Sequence, residues 1–399
     1  MRASCSQHVC LIVAFLAMVA AVAVSQVVFD LREGDTPQIV ELFRQPPTPA
    51  SLRRIETRLE NGCKLAQVVR PWMQFARFVL LEDAGDKALL GRDGWFFYRP
   101  AVQYLVEPVR SVPVRAYLPS DEKKITPDGV TTNVRDDLFD AITSFRDDLA
   151  KRGIKLLVMP SPNKASVYPE KLAARAAGMA TPVNPTTRDV LARLKQAGIE
   201  VVDLFEVYAQ ARQAAGSPAC YLAQDSHWSP EGMRLAAETV ARRLLDSGCV
   251  EKGTTRYELK SVVVERYGDV LQMIRVPQVQ KLFDPQKMSC TQVIDSGTGK
   301  PCVDDPNSPV LVLGDSFLRI FERDEPGSAG FVAHLAYNLG FGLSSIISDG
   351  GASTLVRQQL ARKPALLKGK KVVVWEFVER DIRFGTEGWQ VIPLPQIRE

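Results

Sequence analysis

Apolar and polar positions divide the chain into three stretches of different character. Residues 9–29 are almost wholly apolar, broken only by Ser25 and Gln26. About 20 such residues suffice for a helix to cross a bilayer, so this segment predicts a membrane-spanning helix. Residues 30–51 are mixed and carry Pro46, Pro47 and Pro49, which remove backbone donors and predict a stalk. Helical spacing returns over 52–81, and 30–80 is taken together as stalk and helical linker. From residue 135 onward, amphipathic periodicity alternates with short runs of branched apolar residues. Helices are predicted at 135–152, 189–196, 230–246, 327–339 and 352–360, and strands at 155–159, 200–204, 310–313, 343–347 and 372–377. Such alternation implies an α/β domain, assigned to 81–390, with a mostly parallel sheet covered by helices on both faces. Residues 91–98 read as a turn feeding an aromatic strand. Residues 102–134 and 249–308 show no clear period, and the latter is expected to be a partly irregular insertion over the site.

Charge and cysteine usage narrow the picture. Fifty basic and 46 acidic residues leave a net charge of +4, too small and too scattered to argue for nucleic acid. Arg2 and the free amino terminus precede the apolar segment, which favours an inside N-terminus and export of the rest. The expectation is a retained anchor over 1–29, with cleavage at Ala21-Val22-Ala23 and release as the alternative. Of seven cysteines, Cys5 and Cys10 belong to the anchor, and the remaining five cannot all pair within one molecule. Cys290 and Cys302 bracket a polar loop with a Ser-Gly-Thr-Gly centre and are the expected disulfide; Cys220 with Cys249 is a second, weaker pairing. No spacing matches a zinc site, and no metal or cofactor is expected.

Candidate chemistry sits in two loops. Pro309-Val-Leu-Val-Leu-Gly-Asp-Ser-Phe-Leu318 reads as a buried strand released by Gly314 into a tight turn. That turn puts the Ser316 hydroxyl at the carboxyl end of a strand, where α/β sheets bind ligands and a nucleophilic serine is expected. A plain helix-capping role for Ser316 is the alternative. Only three histidines are present; with His8 in the anchor segment, an imidazole base is His227 or His334. In Tyr221-Leu-Ala-Gln-Asp-Ser-His-Trp-Ser-Pro230, Asp225 and His227 are two apart, which in an extended segment puts both on one side. Asp225 then orients the ring, His227 takes the proton, and Ser316 attacks. A structural Asp–His loop contact is the competing reading. His334 falls on a helix face with Phe331 and Leu335, where packing is expected.

Gly-Asp-Ser after a strand and Asp-x-His before a helix together resemble the SGNH/GDSL hydrolase superfamily. That superfamily usually places its serine block first and spaces its acid and histidine more widely. The reversed order here is similar to the alginate O-acetyltransferase family of the AlgJ/AlgX type, which shares Asp-x-His-Trp followed by Gly-Asp-Ser-Phe. Gly91 to Tyr98, Pro160-Ser-Pro-Asn-Lys-Ala-Ser-Val-Tyr-Pro169 and Val374-Trp-Glu-Phe-Val-Glu-Arg-Asp381 look like the same family, and no carbohydrate-binding module is expected after Arg383. The resemblance implies an SGNH-hydrolase-like three-layer sandwich and transfer of acetyl groups onto an exported, alginate-like polysaccharide. It also implies a periplasmic site tethered to the inner membrane, and a membrane-bound O-acyltransferase partner that supplies the acetyl group. Asn163, the Ser316 N–H and Gly350 are its oxyanion-hole candidates. Lys164, Arg319 and Trp228 are substrate-binding candidates, while Glu376, Glu379 and Arg380 are expected to form a structural ion pair. A carbohydrate esterase with the same triad, and a noncatalytic glycan-binding assembly protein, remain open alternatives.

Overall fold

The computed structural model describes residues 5–37, 40, 48–106, 138–179, 184–214, 216, 218–384 and 388–395. Ten strands follow in chain order: β1 (Ala88–Leu90), β2 (Phe96–Tyr98), β3 (Lys155–Ser161), β4 (Glu200–Val201), β5 (Tyr257–Arg266), β6 (Gln286–Asp295), β7 (Lys300–Pro301), β8 (Val310–Gly314), β9 (Ser344–Ile347) and β10 (Val372–Val378). Five of them form one sheet in the order β4-β3-β10-β8-β9, and every pairing in it is parallel. A strand buried on both faces needs apolar side chains at every position, not at alternate ones. β8 and β10 meet that demand except at Glu376, and both are buried throughout.

Alternation along these strands divides the core in two. Val310, Val312, Val372 and Val374 point to one face, where the helices Pro230–Asp246 and Phe331–Leu339 supply Ala237, Val240, Leu244 and Leu335. Leu311, Leu313, Val373 and Trp375 point to the other, against Phe145, Leu194 and Val356 of the helices Leu138–Ala150, Pro185–Gln196 and Leu355–Arg362. The result is the expected three-layer α/β/α arrangement. Helix Pro230–Asp246 starts where the sequence predicts because the Ser229 hydroxyl accepts from Gly232 N–H and Pro230, which has no N–H to satisfy, opens the first turn.

Several boundaries differ from expectation. β4 is only two residues long, and Asp203 then caps a helix, Leu204–Gln213, at a place read as strand. The 52–81 helix is two helices, Pro49–Gly62 and Lys64–Leu81, separated at Cys63. Arg99–Val106 is helical; the remainder of the stretch expected to be irregular up to 134 lies outside the described residues. The 249–308 insertion is more regular than expected, because β5, β6 and β7 form an antiparallel sheet. Most of β5 is exposed, so no apolar alternation marks it.

The same sheet overturns the expected disulfide, since all four of Cys220, Cys249, Cys290 and Cys302 are free thiols. Cys302 N–H donates to Val293 O at 2.9 Å, so the β6–β7 hairpin aligns Cys302 with Val293. Cys290 faces Val262 instead. Three residues of strand separate the backbones of the two cysteines by about 10 Å, beyond the Cα–Cα span of roughly 4.4–6.8 Å that a disulfide bridges.

The chain divides into two units, residues 1–84 with 275–282 and residues 85–274 with 283–399. The first contains helix Cys5–Glu33, whose segment His8–Glu33 is, among the described residues, the one helix long and apolar enough to cross a membrane, with a mean hydropathy of 2.6. The second contains all ten strands of the described residues. The thiol assignment is directly testable: alkylation of the denatured protein without reductant should label Cys290 and Cys302 in full, and a tryptic peptide pair linked through them would contradict it.

Candidate active site

Parallel strands deliver their carboxyl ends to one edge of the sheet, and the loops leaving β3, β8 and β10 carry Asn163, Ser316 and Glu379 there. Gly314 closes β8 because a Cβ at that position would lie 2.5 Å from Leu318 Cδ1 and 2.6 Å from Glu376 Oε2. Asp315 N–H donates to Glu376 Oε2 at 3.2 Å, and Asp315 Oδ1 accepts from Phe317 N–H at 2.9 Å. The chain therefore turns sharply, and half-buried Ser316 opens a short helix, Ser316–Arg319, that Asp315 rather than the serine caps.

His227 meets this serine from a loop 89 positions earlier, with Nε2 2.8 Å from Ser316 Oγ. Its Nδ1 lies 2.6 Å from Asp225 Oδ1, which also accepts the His227 backbone N–H at 3.1 Å. A proton donated from Nδ1 to the carboxylate leaves Nε2 as an acceptor for the serine hydroxyl. The other carboxylate oxygen, Oδ2, accepts from Asp269 N–H at 3.1 Å and from the Arg266 guanidinium at 3.4 Å. Burial opposes the charge of Asp225, yet the adjacent imidazole and guanidinium outweigh it and hold the carboxyl well below the usual range. Burial likewise opposes a charged His227, but the Asp225 carboxylate outweighs it and raises the imidazole above its ordinary 6.5.

Asp269 and Arg266 belong to the 249–308 insertion and were not singled out from the sequence. Asp269 Oδ1 accepts from Ser226 N–H and its Oδ2 from Ser226 Oγ, both at 2.6 Å, and Oδ2 stands 3.6 Å from His227 Nδ1. Burial, then the nearby Asp225 charge, raises the Asp269 carboxyl. Gly268 permits the approach, since a Cβ there would fall 2.2 Å from the Gln224 carbonyl carbon. Asp225, His227 and Asp269 are also the described group with donor atoms close enough for an ion, within 4.8 Å of one another, but those atoms are turned onto one another and onto Ser226. From Arg266 a chain of ion pairs continues through Asp324 to Arg319 and on to Asp349.

The remaining candidates divide. Asn163 is buried, donates its backbone N–H to Glu379 Oε2 at 2.9 Å, and makes no cap with its side chain. Its amide oxygen and nitrogen are both buried without a partner among the described residues. Gly350 sits in a left-handed turn at φ +62°, one residue past Asp349, and none of the hydrogen bonds among the described residues carries it to Ser316. Trp228 is a core residue rather than a sugar platform: fully buried, it packs edge-on to Phe317 at 5.1 Å and stacks on Phe331 at 5.8 Å. Lys164 does not face a ligand either. Its buried ammonium donates to the carbonyls of Phe96, Ala223 and Asp225 at 2.6, 2.7 and 3.0 Å and lies over the Trp95 ring. Burial pulls that ammonium down to about 7. Arg319 is one-third exposed and engaged by Asp324 and Asp349.

Glu376, Glu379 and Arg380 do not form the expected ion pair. Both glutamates are fully buried hydrogen-bond acceptors, Glu376 beneath the serine turn and Glu379 collecting Asn163 N–H, Ser166 Oγ and Thr187 Oγ1. Burial pushes Glu379 up to about 7. The Arg380 guanidinium lies 5.1 Å over the Tyr98 ring. His334 packs as expected, buried with Nε2 donating to Thr291 O at 2.8 Å.

A parallel α/β sheet that presents serine, histidine and aspartate within hydrogen-bond reach at its carboxyl edge has the architecture of the SGNH class. The family described as "SGNH hydrolase-like domain, acetyltransferase AlgX" matches residues 88–379, and the chain belongs to that family. It is similar to the probable alginate O-acetylase AlgJ of Pseudomonas aeruginosa, 30% identical over 167 residues, which cover 42% of this chain and 34% of that relative. It is also similar to the probable alginate O-acetylase AlgJ of Pseudomonas fluorescens, 24% identical over 258 residues, or 62% and 61% of the two chains. Each alignment thus spans less than two thirds of the relative. Among solved structures, the O-acetyltransferase domain of Pseudomonas putida AlgJ shares the fold at a TM-score of 0.55 and 22% identity, over 74% of this chain and 92% of that one. Pseudomonas aeruginosa AlgX aligns at a TM-score of 0.51 and 20% identity, over 76% and 64%.

Asp269 gives the site a specific test. Asp269→Asn keeps the backbone N–H on Asp225 but removes one negative charge near the imidazole. Turnover of an activated acetyl ester should fall roughly 10- to 100-fold, the equivalent of about 1.5–3 kcal/mol for a charged hydrogen bond. The acid limb of its pH profile, expected above 6.5 in the parent, should move to lower pH, because the imidazole then loses its proton more readily; an unmoved limb would separate Asp269 from His227.

Proposed function

We propose that the protein is an exported, membrane-anchored O-acetyltransferase that places acetyl groups on hydroxyls of an alginate-like polysaccharide. The relay from Asp225 Oδ1 through His227 to Ser316 Oγ, at 2.6 and 2.8 Å, is the observation that carries this reading. Ser316 Oγ attacks the carbonyl carbon of an acetyl donor as His227 Nε2 takes its proton. The donor's leaving group departs with that proton, and an acetyl-serine remains. A sugar hydroxyl then gives its proton to Nε2 and attacks the acetyl carbon; the bond to Ser316 Oγ breaks as Nε2 returns that proton to Oγ, leaving the new sugar ester and the free serine. Negative charge on the carbonyl oxygen is met by the Ser316 N–H and the Asn163 side-chain amide, whose burial without a partner among the described residues supports that role.

Membership of the acetyltransferase family and the names of the similar proteins support acetyl as the group and alginate as the polymer class. The apolar N-terminal helix supports a periplasmic enzyme tethered to the inner membrane. Because acetyl-CoA stays in the cytoplasm, a multi-spanning membrane-bound O-acyltransferase is proposed as the partner that delivers the acetyl group.

Incubation of the full chain in detergent with an acetyl ester and an oligosaccharide should yield acetylated sugar and a transient acetyl adduct on Ser316 by mass spectrometry. Free acetate alone would instead identify an esterase. Ser316→Ala should lower transfer by at least about 10³-fold, and a variant that acetylates sugar at the parent rate would overturn the proposal. Asn163→Ala should cost about 10²–10³ in turnover, the worth of one oxyanion donor.

A further inference from the structure

Helix Lys64–Leu81 carries a continuous apolar face that is exposed among the described residues. At 100° per residue, Val68, Trp72 and Val79 line up along one ridge and Val69, Met73 and Leu80 along the next. All six are exposed, among them Val68 at 64%, Trp72 at 59% and Leu80 at 78%. The protein-facing side of the helix flanks that face: Phe78 is buried, Pro71, Gln74 and Phe75 are half-buried, and Phe75 meets the Trp72 ring edge-on at 6.4 Å. Arg70 and Arg77 follow one border of the apolar face seven residues apart, both exposed, with Arg77 ion-paired to Asp83. A surface helix of a water-soluble unit does not normally show Trp, Met, Leu and three valines on its outer side.

The start of this helix says what covers that face. Lys64 N–H donates to Gln26 Oε1 at 2.9 Å, and the Lys64 ammonium pairs with Glu33 at 3.1 Å. Gln26 Nε2 in turn donates to Asp30 Oδ1 at 2.7 Å. Gln26 to Glu33 is the stretch where the long apolar helix turns polar, so a helix pinned there begins at the level where the span leaves the hydrocarbon. Its 18 residues then run for about 27 Å.

We propose that Lys64–Leu81 lies in the surface of the bilayer that the N-terminal helix crosses. The Val68–Trp72–Val79 ridge sits among the outermost acyl segments, and Arg70 meets an anionic headgroup phosphate. The proposal rests on reading the N-terminal helix as a retained anchor. It gives the protein a second, sidewise contact with the membrane, which limits how far the anchored chain swings from the bilayer.

The five tryptophans of the chain make the test selective. Trp95, Trp228, Trp375 and Trp389 are all buried, and Trp72 alone of the five is exposed. Full-length protein is reconstituted at high lipid excess into phosphatidylethanolamine/phosphatidylglycerol vesicles with acyl chains brominated near the headgroup. Brominated lipid is expected to quench the Trp72 share of the emission, Trp72→Phe to abolish that quenching, and aqueous iodide to have little effect on it. Val68→Glu combined with Leu80→Glu, both at exposed positions, should abolish quenching while leaving acetyl-ester turnover and co-sedimentation with vesicles unchanged. Trp72 emission that ignores brominated lipid and is quenched by iodide, in protein that still sediments with vesicles, would overturn the proposal. That result would assign the face to a protein partner or a second copy. Failure to sediment at all would overturn the anchor reading on which it rests.

Discussion

One buried carboxylate, that of Asp225, holds the site together. Four donors converge on it: the His227 ring and backbone N–H on one oxygen, the Asp269 N–H and the Arg266 guanidinium on the other. A charge in the protein interior is tolerable only when it is paired and its lone pairs are used. Here those partners come from two segments about forty residues apart, the 220s loop and the insertion. Satisfying the ion and orienting the imidazole are therefore the same structural task. The Lys164 ammonium adds a third tie from the loop after β3, by gripping the carbonyls of Ala223 and Asp225 from below.

Beneath the nucleophile the polar arrangement is different. Asp315 and Glu376 are both fully buried with carboxyls raised by desolvation, and Glu376 supports the serine turn through the Asp315 N–H. The glycine at 314 lets that glutamate approach. Glu379 performs a similar service for the loop after β3, holding Asn163 by its backbone and leaving its amide unengaged. The carboxyl edge of the sheet is thus lined with acids that act on backbone groups and fix loop geometry. In place of the ion pair expected of Glu376, Glu379 and Arg380, the Arg380 guanidinium lies 4.0 Å from the Asp381 carboxylate.

The 249–308 insertion changes meaning once seen as a sheet. β5 is mostly exposed while β6 packs Met288, Cys290 and Val293 into the core, and at one end β5 delivers Arg266 and the following turn delivers Asp269. Arg266 also connects the triad acid, through Asp324, to Arg319, so the guanidinium expected to greet an anionic sugar is bound into the same network that orients the base.

The sequence alone determined what depends on neighbours along the chain. Periodicity located the five parallel strands and most of their helices, because strands covered on both faces are predominantly apolar. The scarcity of histidine left His227 and His334 as candidate bases, and the two-residue spacing from Asp225 favoured His227 as the partner for Ser316. Only the tertiary structure decided what depends on distant backbone. Asp269 and Arg266 lie in a polar stretch with no local pattern and acquire their role solely by meeting Asp225. Trp228 and Lys164 carry side chains suited to sugar binding, yet folding buries both, one in the core and the other among backbone carbonyls. Cys290 and Cys302 flank a loop that closes on Val293, because hairpin register, not proximity in sequence, sets which side chains stand opposite one another.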